Sequence, residues 1–103
     1  MSRITDSARG EQCQVRLPHI CQMPRTETVV FCHANGSAAG KGLGMKSMDL
    51  LGAYGCQACH DVYDRRVTLP KGMCREDVEL AFWEGHARTL ILLVKKGLVR
   101  HGR

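Results

Sequence analysis

Two cysteines separated by two residues, Cys56-Gln57-Ala58-Cys59, are followed at once by His60 and then by the charged run Asp61 to Arg66. Thiolates at that spacing can occupy two corners of one tetrahedral zinc ion. The same letters also fit a redox dithiol or a c-type haem attachment sequence. A second pair, Cys13 and Cys21, weighs between these readings. Together the four thiolates make an all-cysteine zinc site that joins an N-terminal hairpin or knuckle to the start of a helix. The seven residues between Cys13 and Cys21 make that half looser than a standard knuckle. Covalent haem is normally installed outside the cytoplasm, and the polar stretch Met1 to Ser7 lacks the apolar core of an export signal. A redox dithiol belongs in a thioredoxin-like βαβ frame, an alternation this sequence does not show. The expectation is structural Zn²⁺, with no haem.

Other residues could extend that chemistry. On a helix His60 and Asp64 stand one turn apart on one face, a spacing that suits two ligands of one metal. His33 ends the strongest strand signal. From Asn35 to Lys46 the chain carries Gly36, Gly40, Gly42 and Gly44 with Lys41 and Lys46, a basic loop that lets backbone approach a phosphate. It is not a Walker loop, because Gly36 to Gly42 is one residue short between its glycines and has Gly42 where Ser or Thr belongs. Nor is it a dinucleotide fingerprint, since Met45 stands at the last glycine position. His19 reads as an exposed turn residue with a lesser chance of replacing Cys21, His86 as a helix-face residue, His101 as part of a basic tail, and Cys74 as a packing residue.

The elements that must position these groups follow from local pattern. Asp6 to Gly10 predicts a helical turn closed by glycine, and Cys13 to Leu17 alternates like a strand. Thr28 to Cys32 is rich in β-branched and aromatic residues and predicts a strand, and Leu50 to Tyr54 predicts a second. Gln57 to Arg66 predicts a short helix. Pro70-Lys71-Gly72 interrupts the chain, after which Arg75 to Lys96 predicts the longest helix, with Val78, Ala81, Phe82, Gly85, Thr89, Leu92 and Leu93 as its buried stripe. Lys95 and Lys96 complement its dipole before Gly97 ends it.

Composition sets bounds. A chain of 103 residues is one small domain that benefits from a metal staple. No run of about 18 apolar residues exists, so no membrane span is expected, and cysteines used for metal point to a reducing cytoplasm. The net charge of +5 and pI near 9.1 favour an anionic partner, nucleic acid above all. The five aromatic residues are not spaced as a stacking platform, which favours contact with a duplex backbone.

The set Arg9-Gly10-Glu11-Gln12-Cys13-Gln14-Val15-Arg16, Cys21, His33, Cys56-Gln57-Ala58-Cys59-His60-Asp61 and Asp64-Arg65-Arg66 resembles the prophage-encoded YbcO family of HNH-type nucleases. The likeness runs from about Ala8 to Arg66, with a weaker helical match around Gly85 to Thr89. It implies an α+β fold: a zinc-stapled ββα-metal (HNH or treble-clef-like) domain with core at about 8–68, an added C-terminal helix at about 75–97 and a basic tail at 98–103. It further implies a DNA endonuclease in the cytoplasm of a bacterial host, with His33 as general base and His60 and Asp64 at a catalytic Mg²⁺, Mn²⁺ or Zn²⁺. Lys41, Lys46, Arg65 and Arg66 would contact phosphates. Two positions depart from the HNH pattern. Cys32 stands where a hard metal ligand is usual, leaving either a softer ion or a cysteine that only packs. The middle asparagine is missing, and Asp49 is its best positional substitute. The alternative is a non-catalytic, zinc-stabilised module that binds nucleic acid or protein.

Overall fold

The computed structural model describes residues 3–35 and 49–100. Five elements follow one another: α1 (Arg3–Asp6), β1 (Val30–His33), β2 (Gly52–Gly55), α2 (Gln57–Tyr63) and α3 (Arg75–Lys95). The two strands pair antiparallel, with Phe31 opposite Tyr54 and His33 opposite Gly52. Alternation along β1 sends Phe31 and His33 to one face of this ribbon and Cys32 to the other.

A two-stranded ribbon leaves an edge of unpaired backbone, and here α3 and the N-terminal segment cover the outer edge of β2. The Tyr54 amide donates to Thr89 Oγ1 at 3.0 Å. The Tyr54 carbonyl accepts from the Gln14 amide at 2.8 Å. Two residues back along β2, His86 Nδ1 lies 2.7 Å from the Gly52 carbonyl, so that ring nitrogen must carry the proton. Thr89 is fully buried, and Thr89→Val keeps its shape while stripping the Tyr54 amide of its acceptor. That variant is expected to lose about 1–2 kcal/mol in urea denaturation, the cost of one orphaned buried donor.

The expected strand at Cys13 to Leu17 does not form. Arg16 takes a left-handed φ of 58°, which breaks extended pairing, and its amide turns to Cys13 Sγ. Burial there does not alternate as in a strand: Cys13, Gln14 and Val15 are buried in succession, Arg16 is exposed and Leu17 is buried again, as in a loop folded around sulfur. The N-terminal helical turn lies earlier than expected, at Arg3–Asp6, and the turns after it close at Gly10 with φ 77°.

Both later helices end in the same way. After α3, Gly97 (φ 75°) donates to Val94 and Leu98 to Leu93; after α2, Arg65 (φ 62°) donates to Val62 and Arg66 to Asp61. These paired bonds are Schellman closures. The second stops α2 at Tyr63, three residues short of the expected Arg66. Arg75, the first residue of α3, donates to the Val62 carbonyl at 2.9 Å and to that of Tyr63, joining the end of α2 to the start of α3. Tyr63 and Phe82 stack face to face with centroids 3.9 Å apart.

The buried side of α3 is Val78, Phe82, Gly85, Thr89 and Leu93, whereas Ala81 and Leu92 are half-buried at its margins. Cys74 does not pack as expected. It is exposed and caps α3, its amide donating to Asp77 Oδ2 at 3.0 Å, a bond that holds the Asp77 carboxyl below its ordinary value. No helix among the described residues is long and apolar enough to cross a membrane.

Candidate functional site

The sulfurs of Cys13, Cys21, Cys56 and Cys59 lie within 4.8 Å of one another. Cys13 and Cys59 are 3.8 Å apart, which matches the about 3.8 Å edge of a tetrahedron built on zinc–sulfur bonds of about 2.3 Å. Three elements deliver the ligands. Cys56 follows β2 as the N-cap of α2, Cys59 lies in the first turn of α2, and the N-terminal loop brings up the other two.

Backbone amides converge on this cluster. Arg16 N donates to Cys13 Sγ at 3.4 Å and Gln22 N to Cys56 Sγ at 3.3 Å. Leu17 and Met23 supply amides to Cys59 and Cys21. Each sulfur therefore has an N–H directed at it, the arrangement that stabilises thiolate charge. The hydrogen bond from Cys59, with the amides of Arg16 and Cys56, lowers Cys13 to about 5 against the effect of burial. That same bond, with burial, pushes Cys59 up, and burial raises Cys21 to about 11. Cys13 thus ionises readily while Cys21 and Cys59 hold their protons. The donor set fits a metal such as zinc.

Beside this cluster are two histidine–carboxylate pairs. His33 Nε2 lies 2.8 Å from Asp49 Oδ1 at the end of β1, and His60 Nε2 lies 2.8 Å from Asp64 Oδ2 on α2. His60 Nδ1 is buried and has no hydrogen-bond partner among the described residues. Asn35 links the two regions: its side chain donates to Asp64 Oδ1 at 3.0 Å and its amide to the Tyr63 hydroxyl at 2.9 Å. Burial raises the Tyr63 phenol to about 12, so it stays a neutral acceptor for that amide. Asn35 follows His33 by two residues, so this bond brings the end of β1 against the end of α2.

The remaining candidates fall in varied places. Cys32 is buried, with its pKa raised by burial and by nearby Asp64, and a Cβ on Gly55 would come within 2.8 Å of its sulfur. It packs as a neutral thiol. Arg65 is exposed, but the Arg66 guanidinium is turned back to Asp61 at 3.4 Å and Asp64 at 3.6 Å. Lys41, Lys46 and His101 lie outside the described residues. His19 is an exposed turn residue with φ 63°, and Cys21 takes the place in the sulfur cluster. The Asn35–Asp64 bond was missed, and its one signal in the sequence is a polar side chain just past the strand. Arg88, also missed, donates twice to the Gln14 carbonyl, at 3.1 and 2.9 Å.

Fold and site together define a small α+β domain in which four clustered cysteines, able to hold a metal ion such as zinc, anchor a β–β–α succession. Residues 2–98 match the family described as "Putative nuclease YbcO". "Putative nuclease YbcO" of Escherichia coli (strain K12) is 34% identical over 101 residues, covering 97% of this chain and 99% of the relative. A protein of Enterobacteria phage 82 with the same description gives the same figures. A solved structure of "a putative bacteriophage protein" from Escherichia coli K-12 superposes with a TM-score of 0.70 at 33% identity, over 90% of this chain and 98% of that one. The chain belongs to the YbcO family.

Proposed function

We propose that the protein is an HNH-type endonuclease of ββα-metal, treble-clef-like architecture that hydrolyses phosphodiester bonds of DNA in the bacterial host cytoplasm. Support comes from the nuclease description carried by its relatives and from the succession β1, β2, α2 built around the cysteine cluster. The observation that carries the mechanism is the pair of histidine–carboxylate contacts, joined through Asn35 at the meeting of β1 and α2.

Asp49 accepts from His33 Nε2–H and so leaves Nδ1 as the basic nitrogen, in position to take a proton from water. Thus Asp49 acts as the polar residue that orients the base. His60 Nε2 and Asp64 Oδ2 lie 2.8 Å apart and are the two side chains that would hold a divalent cation. Mg²⁺, Mn²⁺ or Zn²⁺ bound there would stabilise charge on the phosphate and the leaving oxygen. Asn35 and Arg66 hold the Asp64 carboxylate in place. Arg65, with Lys41 and Lys46, supplies phosphate contacts that are independent of sequence.

The test is nicking of supercoiled DNA in the presence of magnesium, manganese, zinc or nickel. Wild type is expected to nick with at least one of them, and His33→Ala to lose about 100-fold or more in rate with its circular dichroism unchanged. Full activity in His33→Ala overturns this mechanism. A second reading, a non-catalytic zinc-stabilised module for nucleic acid or protein, has one observation in its favour. Among the described residues no third His, Cys, Asp or Glu joins His60 and Asp64 at ligand distance. Salt-sensitive DNA binding without cleavage by any ion would establish that reading instead.

A further inference from the structure

The side of α3 turned away from the sheet carries a second apolar row. Leu80, Trp83 and Ile91 are 62%, 39% and 57% exposed, and Ala87 between them is also exposed. At about 100° per residue these four positions fall within an arc of about 80°, opposite the buried row of Val78, Phe82, Gly85, Thr89 and Leu93. Lone exposed apolar side chains are ordinary, but a continuous stripe along a helix of 21 residues marks a contact surface.

A row of charges beside that stripe identifies its partner. Asp77, Glu84, Arg88 and Lys95 occur in that order, acid, acid, base, base, and fall within about 40° of one another around the helix. Asp77 and Lys95 are equally distant from position 86, and so are Glu84 and Arg88. A two-fold axis passing there brings the same flank of a second α3 alongside in the opposite direction. Asp77 then faces Lys95 of the second copy and Glu84 faces its Arg88, each pair occurring twice. Leu80 meets Ile91 of the second copy, and Ala87, small and next to the axis, lets the two backbones approach closely. A parallel pairing would set like charges together. Arg88 is already held on this flank by its two bonds to the Gln14 carbonyl and retains further N–H donors. We infer that the protein forms a two-fold dimer through the outward face of α3, packed antiparallel against a second copy. Symmetric self-complementarity of this kind is what an isologous interface requires.

Sedimentation across a dilution series, together with the emission of Trp83, the only tryptophan, reads the equilibrium. Wild type is expected to dissociate on dilution with a red shift of Trp83 emission. Leu80→Glu and Ile91→Lys change exposed positions, so each should keep the wild-type circular dichroism while self-associating about 30-fold or more weakly. An equimolar mixture of the two variants should regain a dimer, because only the antiparallel arrangement puts the new Glu opposite the new Lys and Leu80 opposite Ile91. A wild type that is monomeric at every concentration, a dimer unaffected by either variant, or a mixture that stays monomeric each overturns the inference.

Discussion

Cys59→Ser is expected to leave a chain that no longer unfolds cooperatively, and chelation of the wild-type protein should produce the same loss. The cluster ties the loop that carries Cys13 and Cys21 to the start of α2. Structural zinc contributes about 10–16 kcal/mol in small domains, comparable with the about 5–15 kcal/mol of a whole domain's stability. Replacing a buried ligand also leaves three sulfurs packed together with amides aimed at them and no cation between them. The measurements are near-ultraviolet circular dichroism and metal content, with one zinc per chain expected in wild type. A Cys59→Ser protein whose melting midpoint matches wild type would remove the cluster from any structural role.

Gly85→Ala is expected to destabilise by about 3 kcal/mol, although helix propensity alone predicts a gain of about 1 kcal/mol for this change in a helix interior. A Cβ at residue 85 would lie 2.8 Å from the Gln14 carbonyl oxygen and 2.9 Å from Val15 Cα. Both are backbone atoms, and neither can yield cheaply. The Gln14 amide is bonded to Tyr54, its carbonyl is gripped by Arg88, and Cys13 just before it belongs to the cluster. The added methyl must therefore lever α3 off the sheet. Urea denaturation of the metal-loaded protein provides the measurement, and a neutral or stabilising effect would mean that the N-terminal loop moves freely.

What could be read from the chain before its fold was known follows the physics of each feature. The four cysteines were recognisable as one group because a soft, tetrahedral ion accepts few residue types. The stripe of α3 was recognisable because burial on one side repeats every 3.6 residues over 21 residues. The strands were placed one to two residues too early, because β-branched Thr28 and Val29 precede the pairing of β1 and apolar Leu50 and Leu51 precede that of β2. Cys13 to Leu17 misled because its apolar and polar letters alternate, although the loop wrapped around sulfur buries Gln14 along with Cys13 and Val15. Asp49 was singled out by position, and its carboxylate lies 2.8 Å from His33 Nε2. The Asn35–Asp64 bond spans 29 residues and is set by how two elements meet, which no local pattern encodes. Likewise, α2 ends at Tyr63 because Arg65 adopts a conformation that its side chain does not favour.

Gln14 has its N–H held by a strand and its C=O held by a helix, on opposite sides of one Cα. With both groups anchored, neither of its two backbone torsions is free to turn. The residue before it is Cys13, so the direction in which that sulfur enters the cluster is set in part by Arg88, from a helix that supplies no sulfur of its own. The aim of a cluster sulfur is thereby written into a helix distant in sequence, and a change at Arg88 would be felt first as a misdirected sulfur.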